Sequence, residues 1–179
     1  MKTLNVIWLM VMACVLNAMP VFGQSDSKNN KIIADSKTAK SEFIAADGLM
    51  KGVFDTAYGY VIFPNVGKGG VGVGGAAGNG VVYEQNQIVG MAKLSQVSIG
   101  FQAGGQAYRE IIFFESKKEL DRFKNSQFEF SAQASALAAK AGASANAKYT
   151  NGVMVFTMQK VGLMYEASIG GQKFKFNKM

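Results

Sequence analysis

Between Gly67 and Gly80 the chain places 8 glycines in 14 positions. That run excludes a helix, because each glycine in a helix interior costs about 1 kcal/mol against alanine. It does not exclude a strand. Read as one strand, Gly70–Ala77 sets Gly70, Gly72 and Gly74 on one face, with Val71 and Val73 on the other. A strand face without side chains permits close approach by a helix, another backbone or a ligand chain. The expectation is tight packing beneath an N-terminal helix, or else a groove for an acyl chain or headgroup. A phosphate loop is excluded. Gly67-Lys68 is followed by Gly69 rather than Ser or Thr, and Ile62 stands where the earlier glycine would be. Gly-x-Gly-x-x-Gly spacings occur at Gly67/Gly69/Gly72 and Gly70/Gly72/Gly75, but Val81-Val82-Tyr83 continues as strand where a nucleotide fold needs a helix.

The sequence on either side repeats short β-type segments. Tyr58–Phe63 is aromatic and β-branched and stops at Pro64-Asn65. Gly80–Glu84, Ile88–Leu94, Val97–Ala103 and Ala107–Phe114 follow, with a polar turn at Glu84–Gln87. Ser116-Lys117-Lys118-Glu119 is a capping box that starts one short helix carrying Leu120 and Phe123. Phe128–Leu137 alternates. Asn151-Gly152 suits a hairpin turn, and Val153–Gln159, Gly162–Ser168 and Gln172–Phe176 complete the series. This predicts an α+β chain: a mainly antiparallel sheet, barrel- or sandwich-like, with an N-terminal amphipathic helix and one short internal helix.

That first helix is read from Lys31 to Phe54. Ile32, Ser36, Ala39, Phe43, Ala46, Met50 and Val53 recur at steps of three and four, and Gly48 or Gly52 offers a break. Lys31, Lys37, Lys40 and Lys51 lie off the stripe, so the helix either packs on the domain or lays Phe43 and Phe54 into a membrane interface with lysines at the headgroups. Ahead of it, Gln24–Asn30 reads as a linker. Residues 1–23 read as a secretory signal: Lys2, an apolar run from Leu4 to Met19, then Val21-Phe22-Gly23 before a cut at Gln24. Val11-Met12-Ala13-Cys14 is only a faint likeness of a lipoprotein box. Cleavage before Gln24 removes the one cysteine and leaves 18 basic and 12 acidic residues, a net charge of +6. Export without disulfides suits a periplasmic or envelope-associated bacterial protein that folds on its core alone.

The absence of histidine removes Ser-His-Asp and Cys-His chemistry and histidine-containing zinc sites. Glu110, Glu115, Glu119 and Asp121 cluster in sequence, but Glu119 has a capping role and no nucleophile–base pair accompanies them. The expectation is no enzyme, no cofactor and no metal. The basic residues are too dispersed for a nucleic-acid module. An integral outer-membrane barrel is the alternative, yet the chain ends Asn-Lys-Met, and two helices sit poorly in a simple barrel.

Taken in order, several segments resemble the SYLF domain, a lipid-binding module also found in eukaryotic actin-associated adaptors. They are Tyr58–Pro64, Gly67-Lys68-Gly69-Gly70 with the run to Gly80, Ser98–Gln106, Ile111–Phe114 and Lys160–Gly171. The resemblance covers about Lys31 to Phe176, and makes 31–179 one domain. It implies a non-enzymatic protein that binds anionic membrane phospholipid through a basic surface and an amphipathic helix. It adds Lys68, in the glycine motif with Gly67, Gly69, Gly70, Gly72, Gly74 and Gly75, and Lys160, before the Gly-Leu motif, to Lys31, Lys37, Lys40, Lys51, Phe43 and Phe54 as site residues. Actin binding is not carried over, since the chain has no partner domain.

Overall fold

The computed structural model describes residues 22–71, 73–99, 105–130, 135–161 and 167–179. The expected signal peptide lies almost wholly outside them. The chain divides into a first unit, Met1–Lys31, and a second, Ile32–Met179, that carries the sheet. Helix α1 spans Phe22–Ala46. It runs through Gln24–Asn30, correcting the expected linker: no proline or glycine lies between Gln24 and Lys31, so nothing stops a helix from propagating back. Asp47-Gly48-Leu49 breaks it, as Gly48 suggested, and α2 follows at Met50–Thr56.

Among the described residues eight strands then form one sheet: β1 (Gly59–Val71), β2 (Val73–Glu84), β3 (Gln87–Ile99), β4 (Gln106–Phe114), β5 (Ser135–Ala138), β6 (Val153–Val161), β7 (Ala167–Ser168) and β8 (Lys173–Lys178). Helix α3, Lys117–Lys124, separates β4 from β5. The order is β7-β5-β6-β4-β1-β2-β3-β8, antiparallel except for β5 beside β6. The α+β reading holds. Its details change where local signals misled. Pro64 does not end β1 but sits where the pairing with β2 and β4 slips, a bulge that accommodates a residue without an N–H. Ile88–Leu94 and Val97–Ile99 are one strand. The glycine run is a hairpin, not one strand: Gly69 faces Gly75, Gly70 faces Gly74 and Val71 faces Val73. A Cβ on exposed Gly67 would meet nothing within 4 Å among the described residues, so no close packing calls for that glycine. Close approach governs Gly80 instead, where a Cβ would lie 2.7 Å from both the Ile62 carbonyl oxygen and Phe63 Cδ1.

Both faces of the sheet are buried around the first half of β1, so it reads Tyr60-Val61-Ile62-Phe63 without a charged residue. One face packs Tyr60, Ile62, Tyr83, Ile111, Phe113 and Phe156 against Ala39, Phe43, Met50 and Phe54 of the helices. Tyr60 stacks on Tyr83, and Phe54 meets Tyr60 and Phe113 edge-on. The other face encloses Val61, Phe63, Phe114, Phe128, Phe130 and Phe174 with Leu120 and Phe123 of α3. The Phe63 and Phe174 rings are 5.8 Å apart. Their strands are three intervals apart in order, about 14 Å in a flat sheet. The sheet is therefore curled, and its concave side is a packed aromatic core.

Candidate functional site

Beyond the helices the convex face is bare among the described residues. The ion pair between Glu42 of α1 and Arg109 of β4 lies at that margin. Two cross-strand rows follow, each drawn from β1, β2, β3 and β8. The first reads Asn65, Asn79, Lys93, Lys175 and the second Gly67, Ala77, Ser95, Lys173. Small residues make the surface smooth, and lysines end both rows. Lys160 of β6 reaches across β4 to the Asn65 side-chain carbonyl and extends the first row. Val97, at 76% exposure, stands in line beyond. Lys173 has Glu129 at 4.0 Å, whereas Lys93 and Lys175 have no acidic partner among the described residues. These two lysines are directly opposite one another, an arrangement that destabilises a sheet unless an anion lies over it.

The residues expected from sequence do not form one surface. Lys31 and Lys37 are exposed on α1. Lys51 is exposed and paired with Asp55 at 2.7 Å. The Lys40 ammonium donates to the Tyr60 hydroxyl at 2.9 Å and lies 4.5 Å above the Phe54 ring, where burial lowers its pKa. Phe43 and Phe54 are core side chains, at 0 and 1% exposure, with no surface to offer a bilayer in this fold. Lys68 points to the concave side, is 8% exposed, and has its pKa lowered by burial. Gly67 is exposed, Gly69, Gly70, Gly74 and Gly75 are half-buried, and Gly72 lies outside the described residues. Of the expected residues, Lys160 with Gly67, Gly69 and Gly75 fall on the bare face by register. Lys93, Lys173 and Lys175 were missed, though the alternation of Lys173-Phe174-Lys175-Phe176 was a usable signal. The four acids also separate. Glu110 is inside, Glu115 is exposed, Glu119 is held by Ser116, and Asp121 pairs with Lys117 at 2.6 Å.

Residues 95–179 match the sequence profile of the Ysc84 family, described as a Las17-binding protein actin regulator. A stretch of 129 residues is 30% identical to Beta cell expansion factor A of Aeromonas veronii, covering 70% of this chain and 48% of that protein. Residues 95–179 are thus of SYLF type. The chain spans about half the length of this curated relative.

The SYLF-matched segment includes Lys173 and Lys175, and also a buried polar group on the concave side. Glu110 of β4 is fully buried and accepts one hydrogen bond, at 3.0 Å, from the Gln172 amide. Gln172 is equally buried and lies 3.4 Å from the Tyr108 hydroxyl. Glu110 Oε1 and Gln172 Oε1 have no hydrogen-bond partner among the described residues. Burial pushes the Glu110 carboxyl up to about 7, and burial with the nearby Glu110 charge raises the Tyr108 hydroxyl as well. If the Gln172 amide turns over, its oxygen can accept from a protonated Glu110 and from Tyr108 together. This site therefore favours the neutral acid. It anchors the turn before β8, where Gly171 N–H also donates to the Phe130 carbonyl at 3.1 Å. In this SYLF-type segment, Glu110 thus bears on how β8 and its lysines are held.

Proposed function

We propose that this chain is a non-enzymatic lipid-binding protein of the bacterial envelope that docks on anionic membrane surfaces through the bare face of β1, β2, β3 and β8. The observation that carries this reading is the smooth surface ending in Lys93, Lys173 and Lys175, two of them opposed without an acid. An anionic headgroup layer relieves that repulsion. Each lysine near such a surface contributes about 1 kcal/mol, so Lys93, Lys160, Lys173 and Lys175 together supply roughly 4 kcal/mol, about a thousandfold in binding. Lys31 and Lys37 add charge if the same membrane reaches α1. SYLF-family membership supports a lipid partner, and the apolar run before Gln24 supports export. The chain is read as peripheral rather than an integral barrel because polarity is reversed: the concave side is aromatic and the convex face is basic, whereas a membrane barrel is apolar outside.

Vesicle sedimentation tests the reading. The full chain should pellet with phosphatidylglycerol-containing vesicles at low salt, much less at 0.5 M salt, and not with pure phosphatidylcholine. The Lys93→Glu/Lys175→Glu variant should lose most of that binding while keeping its thermal midpoint. Equal binding to neutral and anionic vesicles would refute the proposal.

A further inference from the structure

The curl of the sheet leaves a seam. Near one edge, β6 meets β5 over a short parallel stretch, Leu137 opposite Phe156 and Ala138 opposite Thr157, with the Ala139 N–H donating to the Thr157 carbonyl at 2.8 Å. At the other, β8 is bridged by Glu129 to Lys173. Between the first half of β6 and the segment around Phe128–Phe130 lies a groove of about 730 Å³. That volume is within the roughly 300–1,000 Å³ of small-molecule sites. Its floor is the concave core itself, formed by Phe128, Phe130, Val155 and Ile169. Leu137 lines it and is 42% exposed, one of four large apolar side chains exposed among the described residues.

Arg122, from the last turn of α3, and Lys148 also line the groove. Neither forms an ion pair among the described residues, and Arg122 acts on Glu119 only at longer Coulombic range. Glu129, the acid in the lining, has its carboxylate 4.0 Å from Lys173. The groove thus offers an aromatic floor continuous with a hydrophobic core, together with two cations outside any ion pair. A flexible methylene chain laid along the apolar part of this lining is removed from water together with it, at about 25 cal/mol per Å².

We propose that the seam groove holds one acyl chain of an anionic amphiphile, with its carboxylate or phosphate at Arg122 and Lys148. This rests on the lipid-binding reading and adds a second mode to it: a single chain inserted at the seam, distinct from headgroups spread over the convex lysines. A neutral chain gains only the apolar contact. A free inorganic anion gains only the charge contact.

The test uses the full chain with palmitate below its micellar concentration, followed by native mass spectrometry and titration calorimetry, beside the vesicle assay above. One palmitate per chain is expected. Leu137→Trp and Ala147→Trp, both placed to fill the groove, should each weaken palmitate at least tenfold and leave vesicle binding unchanged. Arg122→Gln/Lys148→Gln, which removes only surface charge, should weaken palmitate by about fivefold and hexadecanol not at all. Inorganic phosphate should not compete at millimolar concentration. No palmitate bound, several bound without saturation, or undiminished binding in both folded tryptophan variants would each overturn the groove. If palmitate fails while vesicles still bind, the groove falls and the surface reading stands. If vesicles fail while palmitate binds and the tryptophan variants abolish it, the surface reading falls and the groove stands.

Discussion

Replacing Glu110 by Gln isolates one buried carboxyl and makes stability report on it. In the folded chain burial lifts this group from 4.5 to about 7. The fold favours the neutral form, so between these values the folded state keeps a proton that the unfolded chain has released. Stability is therefore full below about pH 4.5, declines as pH rises toward 7, and stays low above it. At 1.36 kcal/mol per pH unit the decline amounts to on the order of 3 kcal/mol. The interval is unusually clean because the chain has no histidine, and the terminal amine ordinarily titrates above it. Asp47, held down by the Ser144 hydroxyl and amide, Glu84, held down by Lys124 and Tyr58, and Glu119, held down by Ser116, have the opposite effect. Their stabilisation is lost as pH falls below their ordinary range, so it lies outside the interval. Glu110→Gln keeps the shape and removes the charge. At pH 8 the variant should be about 3 kcal/mol more stable than the parent, roughly 6–12 °C in Tm for a domain of this size. At pH 4.5 the two should agree within about 1 kcal/mol. Urea unfolding followed by circular dichroism at pH 4.5, 6 and 8 measures this. A parent whose stability is flat or rises from pH 5 to 7, or a variant that keeps the parent's slope, would refute the reasoning.

Phe174→Ala should cost about 3–5 kcal/mol, since its ring touches Phe63, Phe123, Phe128 and Phe130; a loss under 1 kcal/mol in urea unfolding would mean that the seam side of the core is not packed as described. Gly80→Ala should cost about 1–3 kcal/mol by overpacking, whereas Gly67→Ala, with open space around it, should stay within about 1 kcal/mol of the parent in the same assay.

Signals that act over a few residues were legible from the chain alone. Ser116 caps α3 by accepting from the Lys118 amide at 3.2 Å, and its hydroxyl donates to the Glu119 carboxylate that reaches back to it, a close variant of the capping box in the sequence. Asn151 and Gly152 take φ of 52° and 76°, as an Asn-Gly turn requires. The periodic stripe of α1 and α2 does bury Ser36, Ala39, Phe43 and Met50. Strand joins were less legible, because a bulge carries β1 past Pro64 and a hairpin tip divides the glycine run.

The candidate site depended on longer distances. Periodicity shows that Lys68 and the lysines of β8 alternate with apolar neighbours, but not which face of a curled sheet becomes core. Lys68 turned inward, while Lys93 met Lys175 only because β3 pairs with a strand more than 70 residues further along. The sequence by itself determined the element types, the turns, the helix break at Gly48 and the family, since each rests on local backbone preference or a run of motifs. Only the tertiary structure decided that Phe43 and Phe54 are core, that Glu110 is sealed beside Gln172, and that the convex lysines form one surface. Those outcomes follow from strand register and from the burial of both sheet faces, and the free energy of burial belongs to the assembled sheet rather than to any single segment.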